Sequence, residues 1–265
     1  MLFGIGRIKP SGQNIIKDRT NLALWFDATK ITATDGSQLS SWTDLSVNGW
    51  NATQATSANQ PIYRASNSRM NNRPSIQFDG SRWFELPSSS YGLLNNVSAC
   101  SIYGVVSYDS GNTVISSVFS VTGNTSAITR AQIRKSTTDT LSITGRRLDG
   151  DTANVSATST NMYVNTVVVQ NGMLEYNSTN TNTTSPFNGL EPLRIYVNNT
   201  QEDNDVFPTS GNTSATNSTN IRIGNNVTGS QPLKGYLGEL IVYTRAIRDS
   251  ESTQIYNYLK TKWGI

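Results

Sequence analysis

The sequence predicts an all-β, two-sheet sandwich closed by one short C-terminal helix, and three observations predict it. Charged residues make up only 15% of the 265-residue chain, so its polar surface must come from Ser, Thr and Asn. These residues have low helix propensity and suit turns and the outer faces of antiparallel strands. Apolar and polar residues alternate over short stretches bounded by Gly, Asn, Asp or Pro, which is the period of half-buried strands. Apolar side chains recur at the four-residue spacing of a helix face only at the C-terminus. Sandwiches of about 200 to 250 residues commonly form one domain around one core, so the chain reads as a single domain, 21–265, preceded by an N-terminal arm, 1–20.

The arm carries scattered charge and reads as a strand, a tether or a disordered segment. Leu22, Leu24 and Phe26 alternate with Ala23, Trp25 and Asp27 in an opening strand. A turn-rich stretch, 35–51, holds Trp42-Thr43-Asp44 and Asn48-Gly49, with Trp42 placed to anchor a long loop on the core. Arg73 to Asp79 alternates with Ile76 and Phe78 on one face and stops at Asp79-Gly80. Trp83-Phe84-Glu85-Leu86 resumes extended structure, and further strands are expected at 101–107, 114–121, 131–135, 141–147 and 163–169. Two stretches rich in Asn, Thr and Ser, 177–185 and 209–220, read as long surface loops around the strand Leu193-Arg194-Ile195-Tyr196-Val197. Ile221-Arg222-Ile223 and Gly238 to Tyr243 complete the strands. In the helix, Asp249 is the expected N-cap, Ile255, Leu259 and Trp263 form the buried face, and Gly264 is the stop.

Composition also excludes functions. The net charge of +3 is the small excess of 21 basic over 18 acidic residues, without the Lys/Arg stripe that a phosphate backbone needs. Arg146-Arg147 is an isolated pair that reads as solvated surface, and no nucleic acid partner is expected. No apolar run approaches the ~20 residues of a membrane span, and the first ten residues lack the apolar core of a signal peptide. The chain is therefore expected to fold where it is made. Cys100 is the only cysteine, so an intrachain disulfide is impossible; its apolar surroundings predict a buried, inert thiol. The absence of histidine removes the commonest general base, Ser-His-Asp and Cys-His arrangements and His-containing zinc sites.

In order and spacing these segments resemble the laminin G-like branch of the concanavalin A-like jelly-roll superfamily, over roughly residues 21–265. The most distinctive piece runs from Leu233 through Gly238-Glu239-Leu240-Ile241-Val242-Tyr243-Thr244-Arg245-Ala246-Ile247 to Glu251, with Tyr258-Leu259 and Lys262-Trp263-Gly264-Ile265 after it. Leu24-Trp25-Phe26-Asp27-Ala28, Ser41-Trp42-Thr43-Asp44, Pro74 to Gly80 and Arg194-Ile195-Tyr196-Val197-Asn198 match as well. The family often has a glycine where this chain has Asn199, and Asn tolerates the left-handed backbone such a hairpin needs. The resemblance implies a concanavalin A-like, laminin G-like jelly roll.

Within that resemblance, glycoside hydrolysis requires two carboxylates facing across a sugar, which some relatives supply in a Glu-x-Asp-x-x-Glu pattern. This chain lacks that pattern and Glu239 stands alone in its strand, so no catalytic residue is assigned and no enzyme activity or cofactor is expected. Some laminin G-like domains bind calcium at a loop edge. Glu202, Asp203 and Asp205 are the weak candidates for such ligands, with a merely solvated acidic loop as the competing reading. Sugar binding uses aromatic rings flanked by amides and carboxylates, for which Trp50, Asn51, Tyr63 and Tyr91 are candidates, with stapling of loops to the sandwich as the competing role.

The leading functional expectation is a non-enzymatic structural or adhesive protein of a virus particle. A bacteriophage capsid decoration, cement or fibre component, with other virion proteins of capsid or tail as partners, fits best. Such a protein would be a homo-oligomer located on the virion, with its arm ordering on contact and surface glycans as further ligands. The alternative is a carbohydrate-binding module recognising cell-surface or extracellular polysaccharide.

Overall fold

A computed structural model of the chain describes residues 20–111, 113–123, 129–147, 151, 154–176, 192–207, 219–247 and 249–265. The strands are β1 (Leu22–Asp27), β2 (Ser41–Trp42), β3 (Ala52–Thr53), β4 (Ile62–Asn67), β5 (Arg73–Asp79), β6 (Phe84–Glu85), β7 (Ala99–Tyr108) and β8 (Ser116–Thr122). They continue with β9 (Thr129–Lys135), β10 (Thr140–Gly145), β11 (Val155–Met162), β12 (Val168–Glu175), β13 (Leu193–Val197), β14 (Thr200–Asp205), β15 (Asn220–Ile223) and β16 (Lys234–Tyr243). One helix, α1 (Asp249–Trp263), follows.

The strands form two antiparallel eight-stranded sheets, the jelly-roll sandwich that the sequence predicts. The first runs β14-β13-β12-β7-β16-β5-β4, with β1 also paired to β16; the second runs β11-β10-β9-β8-β15-β6-β3-β2. β1 and β5 lie on the same flank of β16, pairing with its later and earlier halves respectively.

The alternation of side chains assigns each sheet an inner and an outer face. In the second sheet, cross-strand pairing links Ala157, Ile143, Ile133, Phe119, Ile223 and Phe84 into one apolar inner row. In the first sheet, Gly104 and Gly172 face that row so closely that a Cβ on Gly172 would sit 2.5 Å from Ile143 Cδ1. Trp42 closes one end of the core between Phe26 and Phe84, at centroid distances of 5.2 and 6.2 Å, as its anchoring role predicts. Beside it, the buried Asp44 carboxylate accepts hydrogen bonds from the backbone N–H groups of Trp25, Ser46 and Trp50 and holds the 42–51 loop to β1.

Tyr103 and Asn171, neighbours in sequence of the two inward glycines, point the other way and meet α1, where both donate to Ser252 Oγ. The helix therefore packs on the outer face of the first sheet. Ile255, Leu259 and Trp263 are buried there as predicted, and burying an aliphatic side chain of that size is worth about 1.5–3 kcal/mol. Gly238 makes the approach possible, since a Cβ at that position would lie 2.4 Å from the Trp263 ring. Gly264 terminates the helix with φ +70° and its N–H on Lys260 O. No helix among the described residues is long and apolar enough to cross a membrane.

Several local expectations change. Asn198 and Asn199 adopt φ of 49° and 67°, so asparagine does make the β13–β14 hairpin. The segment expected as a strand over 163–169 enters strand geometry only at Val168, because the preceding strand β11 and its turn occupy the earlier residues. Arg146 and Arg147 are buried rather than solvated: Arg147 stacks over Phe207 at 5.0 Å and Arg146 Nη1 donates to Asp151 O at 2.7 Å. A planar guanidinium buries readily against a ring and carbonyls. Residues 1–19, all of the 177–185 loop and most of the 209–220 loop lie outside the described residues, as does the Asp249 side chain proposed as a cap; Thr219 and Asn220 are described, and Asn220 opens β15.

Glu239 does not stand alone. It faces Asp27 across the β1–β16 pair, and Lys262 Nζ from the last helical turn lies 2.7 Å from a carboxylate oxygen of each. Glu239 also accepts from Trp25 Nε1 and Trp263 Nε1 at 2.8 Å and from Tyr258 OH at 3.1 Å. Burial pushes the Glu239 carboxyl above its ordinary value, and Lys262 is the chief force opposing that.

Lys262→Met should therefore lower unfolding free energy by about 3–5 kcal/mol at neutral pH, measured by urea denaturation, because it strands two buried carboxylates. The deficit should shrink on acidification. Above the ordinary carboxylate range the unfolded chain ionises while the folded one resists, so stability of the variant falls as pH rises. Cys100 is fully buried and its thiol is pushed up to about 12 by burial. It should resist iodoacetamide in the native protein at pH 8 and react stoichiometrically in denaturant; native labelling at the denatured rate would contradict that placement.

Candidate functional site

Opposite the apolar inner row, the outer face of the second sheet carries an unbroken polar one. Cross-strand pairing connects Ser156, Thr144, Gln132, Ser120, Arg222, Glu85, Thr53 and Ser41, one residue from each of the eight strands. At the β11–β9 end the row is largely covered: Thr144 and Gln132 are buried, Ser156 Oγ donates to Thr144 Oγ1 at 2.6 Å, and Gln132 Nε2 donates to Gln231 Oε1 at 2.6 Å. At the β15–β6–β3 end it opens to solvent.

The open end is a cleft of about 420 Å³ lined by Thr53, Gln54, Trp83, Glu85, Tyr91 and Arg222, among others. Strand parity places Trp83 and Glu85 outward on either side of the core residue Phe84. Arg222 lies over the Trp83 ring at 5.3 Å and contacts Glu85 Oε2 through Nε and Nη2 at 3.3 and 3.2 Å. Asn220 Nδ2 donates to Glu85 Oε1 at 2.7 Å, and Tyr91 OH reaches the same oxygen at 3.4 Å. The Tyr91 phenol is held above its ordinary value, first by burial and then by the Glu85 charge. The result is a cup with two aromatic rings, a carboxylate and a cation paired to it. Such a surface can stack on the apolar face of a small polar ligand and hydrogen-bond its edges.

Of the four aromatic and amide candidates read from the sequence, Tyr91 lies in this cup. Trp50 lines a separate hollow of about 310 Å³ with Val47, Asn48, Gly92 and Leu93. Asn51 is a loop brace whose Oδ1 accepts from Asp44 N at 3.0 Å. Tyr63 is not in a loop: it sits in β4 opposite Ile76, 5% exposed, and belongs to the core. Trp83, Glu85, Arg222 and Asn220 were not singled out as site residues, although the alternation around Phe84 and between Ile221 and Ile223 places Trp83, Glu85 and Arg222 outward.

The acidic trio is likewise not a loop. Glu202, Asp203 and Asp205 lie in the edge strand β14, and each already accepts a hydrogen bond. Glu202 accepts from Tyr163 OH and Asn161 Nδ2, Asp203 from Thr158 N and Asp205 from Val206 N. No group of three or more metal-ligating side chains is present among the described residues.

Neither a family model nor a curated protein matches the sequence. Solved structures do match in three dimensions. The binding domain of Paraclostridial Mosquitocidal Protein 1 superposes with a TM-score of 0.58 at 13% identity, over 91% of this chain and 53% of that one. Trypanosoma rangeli sialidase gives 0.56 at 11% identity, over 91% of this chain and 33% of that one. Botulinum neurotoxin type C, which depends upon interaction with two ganglioside molecules to enter cells, gives 0.53 at 11% identity, over 92% and 53%. The likeness is one of fold. This chain spans about a third to a half of those proteins' lengths.

Calcium at millimolar concentration should release no binding heat and leave the melting temperature unchanged; a calcium-dependent rise abolished by Asp203→Asn would restore β14 as a metal site.

Proposed function

We propose that the chain is a non-catalytic recognition module for glycans and that the Trp83–Tyr91 cup is its binding surface. The observation that carries this reading is the pairing of two partly exposed rings with Glu85 and Arg222 at the open end of a polar row. Rings stack on the C–H face of a pyranose while the polar edge reads its hydroxyls. Support also comes from the shared sandwich fold of a toxin binding domain, a sialidase and a ganglioside-dependent neurotoxin. The chemistry argues against glycoside turnover, which needs two carboxylates facing across a sugar: one, Glu85, lines the cup, and the buried Asp27 and Glu239 are both engaged by Lys262.

We further propose that the module works as part of a larger assembly, with a bacteriophage decoration, cement or fibre protein as the class its composition favours. A Ser/Thr/Asn surface and one buried cysteine give a sandwich stabilised without disulfides. Sedimentation of the native source material tests this: co-migration with particles supports it, and a strictly monomeric, particle-free protein removes it.

On a glycan array, Trp83→Ala and Tyr91→Ala should each weaken binding at least about tenfold, the order of one lost stacking contact. Trp50→Ala should leave it unchanged, since Trp50 lines the other hollow. Equal losses from Trp50→Ala would move the site.

A further inference from the structure

We infer that the cup selects glycans that carry no negative charge, so that sialylated and uronate-containing chains are rejected. This rests on the glycan-binding reading above. The presence of an arginine in the cup would suggest the opposite, but Arg222 is spent. Its Nε and Nη2 face Glu85, its Nη1 donates at 3.0 Å to both Asn226 O and Val227 O, and its face covers Trp83. Every nitrogen of the guanidinium is engaged, leaving no open bidentate fork for a ligand carboxylate.

The charge that reaches solvent is the anion. The Glu85 side chain is 37% exposed against 16% for Arg222, so an approaching ligand meets the carboxylate first. Gln54 offers nothing further: its Nε2 donates to Trp83 O and its Oε1 accepts from Thr56 N. The other polar side chains that line the cup are uncharged: the Trp83 indole N–H and the hydroxyls of Thr53 and Ser88. The cup thus presents two rings, a part-exposed carboxylate, no unpaired cation and otherwise neutral hydrogen-bonding groups, and its complement is an uncharged ligand with a stackable ring. A ligand carboxylate would meet Glu85 as a like charge with no unpaired cation to offset its desolvation.

Isothermal titration of the intact chain against two panels tests this: neutral oligosaccharides of glucose, mannose and galactose, and acidic ones comprising oligosialic acid, hyaluronate and alginate fragments. Binding is expected within the neutral panel, with affinity unchanged between about 20 and 500 mM NaCl, because an uncharged ligand leaves no ion pair to screen. Glu85→Gln should bring acidic chains into measurable binding, because it leaves Arg222 as the unpaired charge of the cup. Tighter binding of an acidic chain that is lost in Trp83→Ala and weakened by salt would overturn this selectivity while leaving glycan recognition intact. Silence of both panels would overturn both. The salt titration uses the unaltered protein and decides the matter even where Glu85→Gln disturbs folding.

Discussion

The Glu239 carboxylate holds together three elements that the rest of the sandwich builds on. β16 is the strand through which β1, β5 and β7 are joined, and Glu239 lies in its middle, fully buried. Its two oxygens take hydrogen bonds from Trp25 on β1 and from Tyr258, Lys262 and Trp263 on α1. A charge placed there would be costly alone; with four donors and a shared lysine it becomes a directional constraint. It sets where β1 sits along β16 and the angle at which the helix crosses the sheet. Apolar burial of Ile255, Leu259 and Trp263 supplies attraction but little direction.

With the helix fixed on the outer face of the first sheet, the outer face of the second is the surface left for recognition. The two rows of the second sheet divide the labour by parity alone: Ile143, Ile133, Phe119, Ile223 and Phe84 look into the core, and Thr144, Gln132, Ser120, Arg222 and Glu85 look away. The site therefore needs no special loop architecture. It is the place where the polar row runs into short strands and emerges from cover.

Much of the fold was legible in sequence because period-two alternation and turn residues are local signals. Ile76 with Phe78, the helix spacing of Ile255, Leu259 and Trp263, and the left-handed tolerance of Asn199 all reappear in the structure. The losses have physical causes. β14 looked like a loop because three acids in six residues depress strand propensity, yet its backbone is paired to β13 and its carboxylates to neighbouring donors. Glu239 looked solitary because its partners lie near opposite ends of the chain. Tyr63 reads in sequence as one of the loop aromatics, whereas its pairing with Ile76 across β4 and β5 puts it in the core. The cup was half legible. Tyr91 was visible as an aromatic in a polar segment, whereas the convergence of Trp83, Glu85 and Arg222 depends on strands distant in sequence being neighbours.

The parity of the cup also governs how it can change over evolutionary time. Glu85 is flanked in sequence by the core residues Phe84 and Leu86, and Arg222 by Ile221 and Ile223. Exchanging either outward side chain alters the chemistry of the cup and leaves the packing beneath it in place. Inserting or deleting one residue in β6 or β15 would instead turn the recognition residues into the core and the core residues into the water. New specificities are thus reachable from this scaffold by substitution, while single-residue length changes in those strands are closed to it.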